Sequence, residues 1–301
     1  MTLKGTYTAL LTPFTTGGEE VDYVALKNLI AYQVNAGIEG LVPCGTTGES
    51  PTLDHKEHRE VIARVVEWSK SIRNDIVVIA GTGSNSTREA IDLTKAAAQD
   101  GADYALLVNP YYNKPTQSGL VAHFLAIAEA STIPLVLYNI PGRTNVTLSL
   151  NTIKELSKHP NIAGIKEATG DLNFMSQVIL ETPEDFFVLS GDDNLTLPLL
   201  ATGGRGVISV VSNIFPRSTG EITRKFFNSD FAGAKKIFQT LFPFCNEMFV
   251  ETNPIPVKYA ASLLGLCKNE LRLPMTPISE SLRSGLKSKL EEIQKVLGEK
   301  P

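Results

Sequence analysis

The stretch NIAGIKEATGD, residues 161 to 171, sets one lysine, Lys166, inside an apolar run with the length and branched side chains of a buried strand. A buried ammonium is costly unless it finds a partner or gives up its proton. Lys166 is therefore salt-bridged, extended from a strand end toward water, or chemically employed, and the surrounding fold decides which. Seven comparable runs flank IAGIKEA (162–168). YTALLTPF (7–14), GLVPCG (40–45), IVVIAGTG (76–83), YALLVNP (104–110) and LVLYNIP (135–141) precede it, and FFVLSGDD (186–193) and GVISVVSN (206–213) follow. Amphipathic segments fill the gaps. Asp54 with Glu57, and Ser86 with Glu89, read as capping boxes that start helices, and Gly37 and Gly101 read as helix stops. Near-continuous apolar strands, each followed by a helix, imply a parallel sheet covered on its outer face, and eight such units suffice to close a barrel. The expected fold is α/β, a (β/α)8 TIM barrel over residues 1–225.

Beyond residue 225 the strand pattern stops. FAGAKKIFQTLFPFCNEMF (231–249), NPIPVKYAASLLGL (253–266) and SESLRSGLKSKLEEIQKVL (279–297) carry helical apolar spacing broken by prolines, so residues 226–301 are expected to form a C-terminal helical extension. A length of 301 residues with 43% hydrophobic content can fill one large core. The net charge of −4 arises from 28 basic and 32 acidic residues spread along the chain, which gives no basic stripe or acidic tail to argue for nucleic acid or a membrane surface. Three scattered cysteines, Cys44, Cys245 and Cys267, suggest neither a disulfide framework nor a zinc site. No apolar run approaches the roughly 18 residues of a membrane helix, and the N-terminus lacks the pattern of a signal peptide. A cytoplasmic protein acting on small molecules is the expectation.

In such a barrel the reactive groups project from the C-terminal ends of the strands. There the sequence offers Thr46 and Thr47 in GTTGES, Tyr111 and Tyr112 in PYYNKP, Tyr138 with Arg143 in YNIPGRT, and Lys166. Singly, most have ordinary structural explanations: threonines and serines end strands and form turns, a strand tyrosine packs in a core, and an arginine decorates a surface. Lys166 stands apart. On strand alternation it shares a face with Ile162 and Gly164, whereas Glu167 points the other way and is a poor salt-bridge candidate. A lysine in a confined, partly dry barrel mouth sheds hydration, which favours a neutral, nucleophilic amine able to attack a carbonyl. The competing explanation is an internal ion pair with Asp192 or Asp193.

GTTGES, NPYYNKP, YNIPGRT and GIKEATGD, in that order and at these strand ends, resemble the dihydrodipicolinate synthase family within the pyruvate-dependent class I aldolase superfamily, and the resemblance covers essentially the whole chain. It implies a Schiff-base lyase, a 4-hydroxy-tetrahydrodipicolinate synthase, which condenses pyruvate with L-aspartate 4-semialdehyde on the diaminopimelate route to lysine and needs no cofactor or metal. Carried over residue by residue, Lys166 would form the imine, and Tyr138, Thr46 and Tyr112 would relay protons, Tyr112 from a neighbouring subunit. Thr47 would hold the pyruvate carboxylate, Arg143 the semialdehyde carboxylate, and Ile208 would line the pocket. The resemblance also implies a homo-oligomer, a dimer of dimers, and feedback inhibition by L-lysine at residues matching Ser50, His55, His58, Asn85, Glu89 and Tyr111. Pro51 departs from that pattern because it offers no N–H. His55 and His58, spaced i and i+3, lack a third ligand for a metal.

Three other functions fit parts of the pattern: a sugar-acid aldolase of the N-acetylneuraminate lyase or keto-deoxy-gluconate kind, using the same imine with another acceptor; an oxidoreductase barrel using Tyr138 and Lys166; and a silent keto-acid binding protein. The oxidoreductase reading is weakened by GTGSNS (81–86), which lacks the last glycine of a dinucleotide fingerprint.

Overall fold

In the computed structural model, which describes residues 3–301, seven of the eight apolar runs contain a strand and the first, 7–14, overlaps one that begins two residues earlier. β1 (Gly5–Ala9), β2 (Gly40–Val42), β3 (Val77–Gly81), β4 (Tyr104–Val108), β5 (Leu135–Asn139), β6 (Ile162–Glu167), β7 (Phe187–Ser190) and β8 (Gly206–Ser209) pair in parallel, in chain order, and close a TIM barrel. The connecting segments carry α1 (Tyr23–Asn35), α2 (His55–Ile72), α3 (Thr87–Gln99), α4 (Gln117–Ala130), a single turn α5 (Pro141–Thr144), α6 (Leu150–Leu156), α7 (Leu172–Glu181) and α8 (Thr196–Ala201). After β8 come α9 (Pro216–Phe227), α10 (Phe231–Glu247), α11 (Ile255–Leu263) and α12 (Glu280–Leu297). A boundary drawn at residue 225 falls within α9.

Local chemistry explains most element ends. Asp54 and Glu57 form a full capping box on α2. Ser86 accepts from the Glu89 N–H at the start of α3, but only that half of the expected box exists. The Glu89 carboxylate turns instead to the Ser84 hydroxyl and to His55, 3.3 Å away, because those groups offer it a stronger partner than a helix-end amide. Gly37 and Gly101 follow α1 and α3 with φ of 86° and 90°, a left-handed backbone that glycine adopts without strain.

The barrel lumen is filled by Tyr7, Val42, Tyr104, Leu106, Phe187, Leu189 and their neighbours, and the outer faces of the strands pack under the helices. One expectation about β6 needs correction. Ile162 lies in the outer apolar layer, not on the face of Lys166, because the β5–β6 register shifts at Leu135/Val136 and Ala163 packs against the lumen cluster. The extra residue resets alternation, so Gly164 and Lys166 point inward while Ile165 and Glu167 point outward. Gly164 has no Cβ for a packing reason: one would sit 2.3 Å from the Phe187 ring.

The tail is not a separate lobe in packing terms. Leu241, Phe244, Met248, Val257 and Leu286 belong to the same apolar cluster as Leu10, Phe14, Leu26 and Leu41 of the barrel. Near the C-terminus, Glu299 accepts from the N–H groups of Arg217 and Ser218 at 2.8 and 2.9 Å, satisfying amides at the start of α9. Among the described residues no helix is long and apolar enough to cross a membrane, and all three cysteines are buried and free.

Candidate active site

Lys166 leaves β6 into the mouth of the barrel and is only 6% exposed. Its register partner on β5 is Tyr138, and the Lys166 Nζ lies 4.2 Å from the centre of that ring. Among the described residues no carboxylate approaches Nζ within ion-pair distance, although both aspartates proposed as rivals are close enough to feel its charge. Asp193 is committed elsewhere. It accepts from Ser209 Oγ at 2.5 Å and from the N–H groups of Val210 and Val211 at 2.9 and 3.1 Å, which pins it to the turn after β8. Asp192 lines the cavity beside Lys166; burial raises its pKa and the lysine charge opposes that rise. Gly191 walls the same space, and a Cβ there would stand 3.2 Å from Lys166 Cε. The amine is therefore buried, flanked by a cavity and unpaired.

The opposite wall is the turn that follows β2. Gly48, Glu49 and Ser50 donate their N–H groups back to Gly45 and Thr46, whereas the N–H groups of Thr46 and Thr47 bond to nothing among the described residues. Both threonines line the cavity of Lys166, as does Arg143 from α5. Two adjacent free amides beside a guanidinium make a receptor for a carboxylate. Ile208 lies deeper, fully buried in the lumen cluster, and Val210 is the β8-side residue that borders the cavity. Tyr112 stands outside: it is 89% exposed on the loop after β4, with a left-handed φ of 71° that costs a bulky residue about 1–3 kcal/mol.

A second, larger cavity of about 460 Å³ opens next to the first, and Thr46, Tyr138 and Arg143 border both. Ser50, Pro51, His55, His58, Glu89 and Tyr111 line it. Asn85 is adjacent, its Nδ2 donating to the Tyr111 carbonyl at 3.1 Å. Burial lowers the pKa of His58 and raises that of Tyr111, the latter with help from Glu89. Glu89 is thus the one acidic side chain of a lining that also includes the Arg143 guanidinium, and it offers an anion to an ammonium group.

Sequence reasoning missed what the tail contributes. Asn253, between α10 and α11, lines the first cavity; its Nδ2 donates to Thr47 Oγ1 at 3.0 Å and its carbonyl accepts from Arg143 at 3.0 Å. A second buried lysine, Lys258 on α11, was also overlooked. It is fully buried, ion-paired with Glu49 of GTTGES, and lies 4.1 Å from the centre of the Phe14 ring. The PIPVKYAA pattern holds one signal: Lys258 falls on the apolar face of its helix.

A sequence profile of the Dihydrodipicolinate synthetase family matches residues 2–293. The 4-hydroxy-tetrahydrodipicolinate synthase of Leptospira biflexa is 54% identical over 281 residues, covering 93% of this chain and 94% of its own. Among solved structures, the chloride-inhibited dihydrodipicolinate synthase of Acinetobacter baumannii complexed with pyruvate superposes with a TM-score of 0.94 at 44% identity, covering 97% of this chain and 99% of that one. The Cyanidioschyzon merolae enzyme with lysine bound gives a TM-score of 0.92 at 40% identity, covering 97% and 98%. With the Lys166–Tyr138 pair and the GTTGES turn placed at one barrel mouth, and a match that runs nearly end to end, this chain belongs to the dihydrodipicolinate synthetase family.

Proposed function

We propose that this chain is a class I lyase that condenses pyruvate with L-aspartate 4-semialdehyde to 4-hydroxy-tetrahydrodipicolinate, on the diaminopimelate route to lysine. The observation that carries this reading is the unpaired, buried amine of Lys166 facing a cavity whose far wall presents two free amides and Arg143. Pyruvate seats its carboxylate on the Thr46–Thr47 turn, with Thr47 held by Asn253. Lys166 attacks the keto carbon and water leaves, with Tyr138 and Thr46 moving the protons and Tyr112 entering from a neighbouring subunit. The protonated imine withdraws electrons from the methyl carbon, which loses a proton to give an enamine. That carbon attacks the aldehyde carbon of the second substrate, whose carboxylate Arg143 receives through its planar guanidinium. The amino group of the second substrate then displaces Lys166 from the imine carbon, closing the ring and restoring the free amine. Ile208 backs the pocket from the lumen.

The neighbouring cavity supports feedback inhibition by L-lysine. Glu89 supplies the anion for an ammonium group and His58, Tyr111, Ser50, His55 and Asn85 the remaining polar contacts, and the Cyanidioschyzon merolae relative was solved with lysine bound. The shared wall of Thr46, Tyr138 and Arg143 gives such a ligand a direct route to the reaction site. A dimer of dimers in the cytoplasm completes the proposal, and Tyr112, exposed and strained, is the residue that would reach the partner.

Borohydride reduction in the presence of pyruvate tests the reading. The expected result is a covalent three-carbon adduct on Lys166, with turnover of pyruvate and aspartate semialdehyde that Lys166→Ala abolishes. An unmodified Lys166 in folded protein overturns it. Unchanged turnover at saturating L-lysine would remove the inhibitory site while leaving the reaction intact.

A further inference from the structure

Behind the site, on the outer face of the sheet, lies a buried polar chain that the reaction as described does not use. Asn109, Asn139 and Glu167 are all fully buried, and each directly follows an inward-facing residue, namely Val108, Tyr138 and Lys166. Asn109 Nδ2 donates to the Val146 carbonyl and to Asn139 Oδ1, both at 3.1 Å. Asn139 Oδ1 also accepts from the Leu148 N–H at 3.0 Å. Asn139 Nδ2 donates to Glu167 Oε2 at 2.9 Å, and the Thr169 N–H donates to Glu167 Oε1 at 2.7 Å. One continuous network therefore ties the C-terminal ends of three adjacent strands to the segment that follows Arg143 and to the loop after Lys166.

We infer that Glu167, through Asn139, is a positioning residue that holds Lys166 and Tyr138 in their reactive relation. The inference rests on the imine chemistry proposed above. Strand alternation supplies the mechanism: a side chain locked on the outer face fixes the backbone torsions that aim its inward-facing predecessor. Glu167 locks Lys166, Asn139 locks Tyr138, and the bond between them joins the two across one register step. The carboxylate meets a donor at each oxygen, so the network is complete only with an acceptor at both. Burial pushes the Glu167 pKa up to about 7, with the charge of Asp192 on the loop after β7 adding to the rise. Above that pH the anion accepts both bonds. Below it, one oxygen carries a proton that faces an N–H donor, and the network loses a link.

The test exchanges the polarity of the central bond. Glu167→Gln leaves an NH₂ facing a donor, and Asn139→Asp sets a second carboxylate against the first. In the pair N139D/E167Q, the new amide at position 167 donates to the new carboxylate at position 139 and keeps its oxygen for the Thr169 N–H. That carboxylate still accepts from Asn109 and from the Leu148 N–H. Both single variants are expected to slow borohydride-trapped imine formation and kcat about tenfold or more. The pyruvate concentration at half-saturation should stay within about twofold, and the pair should recover most of the loss. Wild type is expected to lose activity as pH falls below about 7, and E167Q should lack that acid limb. A folded E167Q with imine formation within twofold of wild type overturns the inference, as does a folded pair no faster than the worse single variant. If E167Q does not fold, the pair decides alone. A wild-type protein that forms no adduct would instead refute the imine reading itself.

Discussion

Among the described residues two lysines are buried, and they solve the same electrostatic problem in opposite ways. Lys258 keeps a carboxylate: Glu49 pairs with it through one oxygen and accepts the Arg272 N–H at 3.1 Å through the other. Lys166 keeps an aromatic face and a cavity but no counter-ion. The difference separates a residue that holds the fold together from one left free to react. Removing one partner of a buried pair strands the other's charge, so Glu49→Gln is expected to destabilise the protein by about 3–5 kcal/mol, read from the denaturant midpoint and slope. A change below about 1 kcal/mol would mean that the Lys258 site admits water or releases its proton at small cost. Lys166 could be singled out from sequence because it interrupts a strand whose neighbours are apolar. For Lys258 the apolar helix face hints at burial, but its pairing with Glu49 is not readable, because the partner lies 209 positions away.

At the scale of elements, the loop between α10 and α11 acts as part of the barrel mouth. Asn253 reaches Thr47 with its side chain and Arg143 with its backbone, so it ties together two parts of the wall that faces Lys166. Its Oδ1 is buried with no hydrogen-bond partner among the described residues. Asn253→Ala keeps the backbone contact to Arg143 but frees the Thr47 hydroxyl. The expected outcome is a kcat/KM for pyruvate about tenfold lower with a thermal midpoint close to wild type, measured by coupled turnover and calorimetry. Unchanged kcat/KM would show that Thr47 is held by its own turn. Strand and helix positions were legible because apolar period and capping residues are local signals, as at Asp54 and Glu57. The half-formed box at Ser86 was not, since His55 competes for Glu89 only once α2 and α3 lie side by side, adding to the local claim of Ser84.

At the scale of the whole molecule, the packing of the helical layer leaves a pH signature. His123 on α4 is buried against Thr87 of α3, with Nδ1 2.9 Å from the threonine hydroxyl and Nε2 without a partner. Desolvation pushes its pKa from 6.5 down to about 4. The unfolded chain takes up a proton below pH 6.5 that the folded chain refuses until about 4, so stability is present above 6.5 and drains away as pH falls through that window. The loss amounts to about 3 kcal/mol at the bottom of the range. Glu167, raised to about 7, works in the opposite sense, losing stability as pH rises. The His123 contribution is therefore read as a difference: between pH 7 and pH 5 the unfolding free energy of wild type should fall by more than that of His123→Leu, which has no imidazole to protonate. Parallel curves would refute the assignment.

The order of strands and helices, the count of eight, and the candidacy of Lys166, Tyr138, Thr46, Thr47 and Arg143 are all present in the sequence, since each depends on residues adjacent in the chain. Tertiary structure alone decided that Ala163 would shift the β6 alternation, that Asp193 would be claimed by the β8 turn, and that the tail would supply Asn253 to the mouth and Lys258 to Glu49. Those outcomes turn on which distant polar groups meet in a space without water, and no local pattern of residues encodes that competition.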